Sequence, residues 1–168
     1  MRSGGGKQKG SQFEREICKK LSLWVSNNRQ EDVFWRSAMS GGRSTVAWSK
    51  GVKLGNQVGD ISSISPLGTT FTSMFVAECK FYSDLNILGL LTGTGNLIKF
   101  WAEVRRQGKL HNKMPFLIAK QNRLPVFLCL NLGAVLVFSL KGNHLLHAPK
   151  YNLYLYDFDK FLKEVQPP

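Results

Sequence analysis

Acidic residues are scarce in this chain, whose 168 residues include 11 Asp and Glu against 23 Lys and Arg, for a formal net charge of +12. Such an excess of positive charge attracts polyanions, of which nucleic acids are the commonest. The alternative is a cationic surface that serves solubility or an anionic membrane. An acidic residue within an apolar segment therefore stands out, because an unpaired buried carboxylate is costly.

Cysteine is also sparse, and the three scattered residues contain no Cys-x-x-Cys pair, which excludes a disulfide framework and a zinc ribbon. Cys79 and Cys129 lie in apolar segments and are predicted to be small core residues. His111, His144 and His147 are assigned to the surface or to loops rather than to a metal site. No apolar run approaches the ~18 residues of a membrane span, and no signal-peptide hydrophobic region is seen, so we expect a soluble, cytoplasmic protein.

Hydrophobic spacing predicts one α/β domain over residues 12–168, preceded by a basic, flexible segment at 1–11. Ser11 is the predicted N-cap of a first helix that runs to about residue 26, and Glu14 completes a capping box. Residues 37–55, rich in glycine and serine, are predicted to form a basic loop. The other predicted elements are strands at 33–36, 116–119, 126–130 and 135–140, and helices at 85–91, at 96–107 ending before Gly108, and at 157–165.

The strongest signal is a spaced triad, in which Asp60 is followed eighteen residues later by Glu78 and then by Lys80. A β-hairpin with strands at 60–65 and 72–80 is predicted, so that Asp60 lies opposite Glu78 and alternation puts Lys80 on the same face. Two carboxylates and an ammonium in one place can bind a hard divalent cation and assist an attacking water. The alternative is a structural carboxylate–lysine pair at a sheet edge.

The order of these elements resembles the PD-(D/E)XK nuclease superfamily: a helix with an acid, a strand, Gly-Asp, a hairpin, Glu-Cys-Lys, a helix and a strand ending in lysine. Three segments are similar to archaeal and phage Holliday-junction resolvases. They are Lys9–Glu16 in the first helix, Phe34–Gly42 in the strand and Ser-Gly loop, and Pro115–Arg123 in the later strand. The resemblance covers residues 9–130. Gly59 departs from the proline of the superfamily's name motif, although resolvase-like members commonly carry glycine there.

The resemblance implies a restriction-endonuclease-like α/β core, with a central mixed β-sheet flanked by helices. It also implies an Mg²⁺-dependent DNA endonuclease, with Mn²⁺ as a substitute, which hydrolyses phosphodiester bonds to leave a 5′-phosphate and a 3′-hydroxyl. The implied substrate is branched DNA, and the implied state is a homodimer, because a four-way junction needs two symmetric cuts. Exposed aromatic residues in Tyr151–Tyr156 are predicted to lie in the dimer interface or in an edge strand.

The same resemblance assigns roles to single residues. Asp60 and Glu78 bind the metal, with the backbone carbonyl of Cys79 as a further ligand, and Glu14 completes the site directly or through water. Lys80 orients or helps to deprotonate the attacking water and stabilises the pentacovalent phosphate. Ser40, or else Ser37, approaches the scissile phosphate. Lys120, or else Gln121, binds a phosphate near the site. The residues that contact the DNA backbone are Arg36, Arg43, Lys50 and Lys53.

Three other functions stay open. The first is a restriction-, repair- or replication-type nuclease that acts on duplex, flap or single-stranded DNA with the same site. The second is a non-catalytic nucleic-acid-binding module, against which the intact Asp60, Glu78 and Lys80 argue. The third is an RNA-directed or tRNA-intron nuclease, which charge alone does not distinguish from a deoxyribonuclease.

Overall fold

Helices and strands alternate along the chain in a computed structural model that describes residues 5–37, 58–140 and 142–168. The helices are α1 (Gly5–Val25), α2 (Thr69–Met74), α3 (Gly89–Thr92), α4 (Asn96–His111), α5 (Leu132–Val137) and α6 (Phe158–Glu164). The strands are β1 (Phe34–Arg36), β2 (Ile61–Ser63), β3 (Phe75–Tyr82), β4 (Met114–Gln121), β5 (Val126–Leu130), β6 (Leu146–Ala148) and β7 (Leu153–Asp157).

The centre of the fold is a five-stranded mixed sheet in the order β3-β4-β5-β7-β6. β3 and β4 are parallel and are connected through α4, as a parallel pair requires a long crossover, whereas the other neighbours are antiparallel. β1 and β2 form a separate antiparallel ribbon, and a parallel bridge between Gly59 and Ala77 joins the start of β2 to the outer edge of β3. The predicted α/β class with a central mixed sheet is confirmed.

Two hydrophobic cores cover the two faces of the sheet, because side chains alternate along each strand. On one face, α1 packs with residues such as Ile17 and Leu21 against Phe75 and Phe116. On the other face, the Trp101 side chain of α4 and its apolar neighbours pack against the alternate residues of β3 and β4. The alternation continues to the end of β3, so Glu78, Lys80 and Tyr82 emerge on the α4 face.

The hairpin predicted after Asp60 is wrong. β2 pairs with β1 rather than with β3, and the segment before β3 is a 3₁₀ turn (Pro66–Gly68) followed by α2. The Ser65 side chain accepts a hydrogen bond from the Leu67 N–H, and a proline follows Ser65, which together mark a helical start. Phe71 of α2 is fully buried. Its ring packs against four other rings, those of Trp24, Phe34, Phe75 and Phe116.

Two other predictions of local structure are wrong. α1 begins at Gly5, so Ser11 lies inside the helix rather than at its N-cap. Residues 5–11 belong to α1, and the flexibility of the segment 1–11 stays a prediction. The predicted strand at 135–140 is largely replaced by α5. The Asn131 side chain caps this helix by accepting a hydrogen bond from the Ala134 N–H. That residues 12–168 form one domain stays a prediction.

The helical segments around α4 also differ from their predicted bounds. Gly108 does not end α4, which continues to His111 and stops at Asn112 in the left-handed conformation. Glycine is required at 108 for another reason, since a Cβ there would lie 2.6 Å from the Lys113 carbonyl oxygen. Within the predicted helix at 85–91, α3 alone is helical and begins only at Gly89.

The C-terminal aromatic segment is not an edge strand. β7 lies between β5 and β6, and Tyr156 is only 4% exposed, so the prediction of exposed aromatics there is wrong for this residue. The strand at 126–130 and the closing helix are confirmed, as is the burial of Cys79 and Cys129 as free thiols. Among the described residues, no helix combines the length and the apolar character that crossing a membrane requires.

Candidate active site

Asp60 is fixed to the outer edge of β3 by both its backbone and its side chain. Its N–H donates to the Ala77 carbonyl oxygen at 2.8 Å, and its Oδ2 accepts from the Cys79 N–H at 2.9 Å. Its own carbonyl oxygen accepts from the N–H of Ser37, which follows β1. The carboxylate therefore continues the hydrogen bonding along the outer edge of β3, with which, among the described residues, no strand other than β4 forms a ladder.

Glu78 and Lys80 converge on this carboxylate from the α4 face. The Lys80 Nζ lies 2.8 Å from the Glu78 Oε2 and 3.7 Å from the Asp60 Oδ2. The side chains of Asp60 and Glu78 are 13% and 17% exposed, so the cluster is shielded but reachable. The structure thus brings the predicted triad together, although a parallel approach of Asp60 to β3 replaces the predicted hairpin.

Glu14 reaches the same region from α1, on the other face of the sheet. The Arg36 Nε donates a hydrogen bond to the Glu14 Oε2, and both side chains are mostly buried. Arg36 pairs with Ile61 in the β1–β2 ribbon, and Asp60 is the residue that precedes Ile61. Both Glu14 and Asp60 act electrostatically on the Cys18 thiol, whose pKa is raised first by burial and then by these charges.

The other predicted residues within the described ranges are Lys120, Gln121 and Ser37. Lys120 pairs with Phe81 across β3 and β4, on the α1 face, and its Nζ lies 5.4 Å and 5.8 Å from the ring centroids of Phe81 and Phe13. The Gln121 Oε1 accepts from the Leu85 N–H. Ser37 is buried and shares a hydrogen bond with the Ser62 hydroxyl. The predicted residues that lie outside the described ranges are Ser40, Arg43, Lys50 and Lys53.

Burial and the neighbouring charges shift the pKa values of Glu78 and Lys80. Burial, and then the neighbouring Asp60 carboxylate, raise the pKa of Glu78 to about 7, although Lys80 partly opposes this. Burial lowers the pKa of Lys80, but the attraction of Glu78 and Asp60 outweighs burial and leaves this pKa above its usual value. Lys80 is therefore a cation at neutral pH, which suits it to stabilise negative charge rather than to accept a proton.

The donor set of the site fits a hard divalent cation, which prefers oxygen ligands. Asp60 and Glu78 supply two carboxylates, and the Cys79 carbonyl faces the same edge, because the N–H and C=O of one strand residue point to the same side. Within the described ranges, no three side chains of His, Cys, Asp or Glu are grouped so that they could hold a metal ion by themselves. A bound ion at this site would therefore keep positions for water and for a phosphate oxygen.

Tyr82 is a residue near the site that the sequence analysis misses. It follows Lys80 by two positions on β3, and therefore lies on the same face. Its ring centroid is 4.7 Å from that of Phe100 on α4. Alternation along the strand, counted from Glu78, places Tyr82 on the same face as Lys80, so the sequence alone contains the information that locates it.

This geometry agrees with the comparison with known families. Over residues 5–167 the sequence matches the family described as phage putative PDDEXK endonuclease. The chain belongs to this family, and the mixed sheet flanked by helices is consistent with its restriction-endonuclease-like fold. No curated protein and no solved structure gives a significant match to the chain.

Gly59→Ala is expected to destabilise the protein by about 1–3 kcal/mol and to lower nuclease activity. Gly59 has a φ of 89°, and a Cβ there would lie 2.5 Å from the Ala77 carbonyl oxygen, the acceptor of the Asp60 N–H. Proline, with φ near −65°, cannot adopt this conformation, which explains the departure from the superfamily's name motif. Urea unfolding measures the loss in free energy of unfolding. The control is Gly10→Ala, which lies within α1 with open space around it and should instead stabilise the protein.

Glu78→Gln is expected to stabilise the metal-free protein by about 1–3 kcal/mol at pH 8. The folded pKa of Glu78, about 7, exceeds the value of 4.5 taken for the unfolded chain. The stability contributed by this group is therefore complete below pH 4.5 and is lost as the pH rises through 7.

Urea unfolding in EDTA at pH 5 and pH 8 measures this effect. The gain should be present at pH 8 and small at pH 5, and the exposed Glu31→Gln variant should show neither. A gain of equal size at both pH values would show that the charge of Glu78 is not its cause.

Proposed function

We propose that the protein is a metal-dependent DNA endonuclease that hydrolyses phosphodiester bonds with Mg²⁺, for which Mn²⁺ can substitute. The observation that carries the proposal is the convergence of Asp60, Glu78 and Lys80 at the outer edge of β3. Membership of an endonuclease family supports nuclease chemistry, and the net charge of +12 supports a polyanionic substrate.

In this proposal Asp60, Glu78 and the Cys79 carbonyl hold the metal, and Glu14 completes the site directly or through water. The bound ion lowers the pKa of a coordinated water and neutralises charge on the phosphate. Lys80 orients the attacking water and stabilises the negative charge of the pentacovalent phosphate through its ammonium group. Water attacks phosphorus, the bond to the 3′-oxygen breaks, and the products carry a 5′-phosphate and a 3′-hydroxyl.

Residues around this centre are proposed to hold the DNA backbone. Arg36, which is bonded to Glu14 in the free protein, contacts a phosphate once DNA is bound. Lys120 binds phosphate near the site by extending beyond the Phe13 and Phe81 rings. The further proposed contacts are Ser40 at the scissile phosphate, Gln121 beside Lys120, and Arg43, Lys50 and Lys53 along the backbone.

The substrate we propose is branched DNA, with a Holliday junction as the leading example. Support comes from the resemblance of three segments, at 9–16, 34–42 and 115–123, to junction resolvases. A homodimer would supply the two symmetric cuts that a four-way junction requires. A single-site nuclease on duplex, flap or single-stranded DNA is the competing form of the same chemistry.

A panel of labelled DNA substrates tests the proposal. Purified protein is incubated with a four-way junction, a flap, a linear duplex and a single strand, with Mg²⁺ or with EDTA. Paired symmetric nicks in the junction that require Mg²⁺ are the expected result. Metal-dependent cutting without preference for the junction would reject the resolvase, and the absence of cutting in every substrate would reject the nuclease.

A further inference from the structure

A cleft of about 550 Å³ opens at the end of β3, next to the candidate active site. Its lining residues come from the first turns of α1, the end of β3 and the turn after β4, and they are Gly6, Lys9, Phe81, Tyr82, Ser83 and Asn122. We call it the β3-end cleft. None of these residues has a part in the hydrolysis proposed above, so the cleft is a separate feature beside the reacting centre.

Tyr82 lies at the rim of the β3-end cleft and carries its ring on the α4 face of the sheet, across the end of β3 from Lys9 and Phe81. It is 46% exposed and lies two residues beyond Lys80, which corresponds to ~7 Å along a strand. The Phe100 ring packs against it with an interplanar angle of 54°, and so supports the Tyr82 ring from the α4 side. An aromatic ring that is supported on one side and exposed on the other is a surface on which a nucleobase can stack.

The polar part of the cleft suits the rest of a nucleotide. Lys9 of α1 is exposed and lines the cleft from the α1 face, so its ammonium can pair with the phosphate of a nucleotide that crosses the end of β3 from the Tyr82 ring. Ser83 and Asn122 supply a hydroxyl and an amide that can hydrogen-bond to a sugar or to a base edge. Stacking combined with a cation is the usual way in which proteins bind unpaired nucleotides.

We propose that the β3-end cleft binds one unpaired nucleotide that flanks the scissile phosphate, with its base stacked on Tyr82. This inference rests on the proposed function and adds the kind of DNA that the site selects. Inside a continuous duplex each base is stacked on its neighbours, and removing it from the stack has a free-energy cost. The cleft therefore favours DNA in which a base next to the cut is already unpaired, as in a flap or in a single strand, or has lost a stacking neighbour, as at the branch point of a four-way junction.

The test uses 2-aminopurine, a fluorescent base, placed next to the branch point of a flap and at the same position in a matched duplex. Binding is measured in EDTA with the wild type, Tyr82→Phe and Tyr82→Leu. The wild type and Tyr82→Phe, which keeps the ring, should quench the flap signal. Tyr82→Leu should lose the quenching and bind the flap about 10-fold more weakly, while the three proteins bind the duplex alike. Wild-type quenching and affinity in Tyr82→Leu, or an equal loss for flap and duplex, would overturn the proposal.

The Lys9 contact has its own matched pair of variants. Lys9→Gln should weaken flap binding and reduce the salt dependence of the affinity by about one phosphate contact. Lys19→Gln, also on α1 but paired with Glu31, should leave both unchanged. Equal effects of the two substitutions would show that the cleft has no specific phosphate contact.

Failure of this inference can be told apart from failure of the proposed function. The binding measurements need no cleavage, and cutting of the same DNA by the wild type with Mg²⁺ is measured separately. Quenching that depends on Tyr82 without any cutting would support the cleft and reject the nuclease. If the DNA is cut but its quenching does not depend on Tyr82, the nuclease function is retained and the binding role of the cleft is rejected.

Discussion

Asp60→Asn is expected to lower the single-turnover rate of DNA cleavage by about 10³-fold or more, with little change in DNA affinity. Asparagine has nearly the same shape, and its side-chain oxygen can still accept the hydrogen bond from the Cys79 N–H. It lacks the negative charge that holds a divalent cation, so the loss of cleavage rate reflects the missing charge rather than a change in the fold. The rate is measured with Mg²⁺, and the affinity by gel shift in EDTA.

A matched control comes from Asp159, an exposed aspartate of α6 that pairs with Lys20 far from the sheet edge. Asp159→Asn should cleave at the wild-type rate. Wild-type turnover in Asp60→Asn would mean that the reaction takes place elsewhere in the protein, and the assignment of Glu78 would then fail with it. Thermal unfolding with and without Mg²⁺ adds a second readout, because a bound ion raises the midpoint of the wild type but not of the variant.

The residues of the candidate site were easier to predict from the sequence than the pairing that brings Asp60 next to β3. Acids are few, so Glu78 stands out at the end of an apolar run, and the step of two from Glu78 to Lys80 fixes a common face. The prediction of a hairpin with strands at 60–65 and 72–80 assumes an antiparallel pairing. The true contact is a parallel bridge at Gly59, whose positive φ leaves no mark in a hydrophobic pattern.

The helix α2 shows why local patterns were insufficient. Its apolar Phe71 fits a strand as well as a helix, and the packing against rings from α1, β1, β3 and β4 decides between them. In the same way, the bond between Glu14 and Arg36 depends on how α1 and β1 meet. The position of Lys120 on the α1 face follows from its register with Phe81. Such contacts between distant segments are properties of the assembled sheet, so the types of residue were predictable but their partners were not.

Lys80→Met is expected to lower the cleavage rate by about 10²–10³-fold while the stabilisation of the protein by Mg²⁺ is retained. Methionine keeps an unbranched apolar stem of similar length, so packing at the half-buried position changes little, but the ammonium is lost. Single-turnover cleavage measures the first effect, and thermal unfolding with and without Mg²⁺ measures the second. Loss of both would instead mean that Lys80 is needed to assemble the carboxylates.

Lys80→Arg distinguishes the two roles that the sequence allows for this lysine. Glu78 and Asp60 keep the pKa of Lys80 raised in spite of burial, so the side chain is charged when it meets the phosphate. If its role is to stabilise negative charge, arginine should recover at least about tenfold of the rate lost in Lys80→Met, since it remains protonated at every relevant pH. A lysine that acts as a proton acceptor could not be replaced in this way, because arginine does not give up its proton. Equal inactivity of the two variants would therefore favour proton transfer over electrostatic stabilisation.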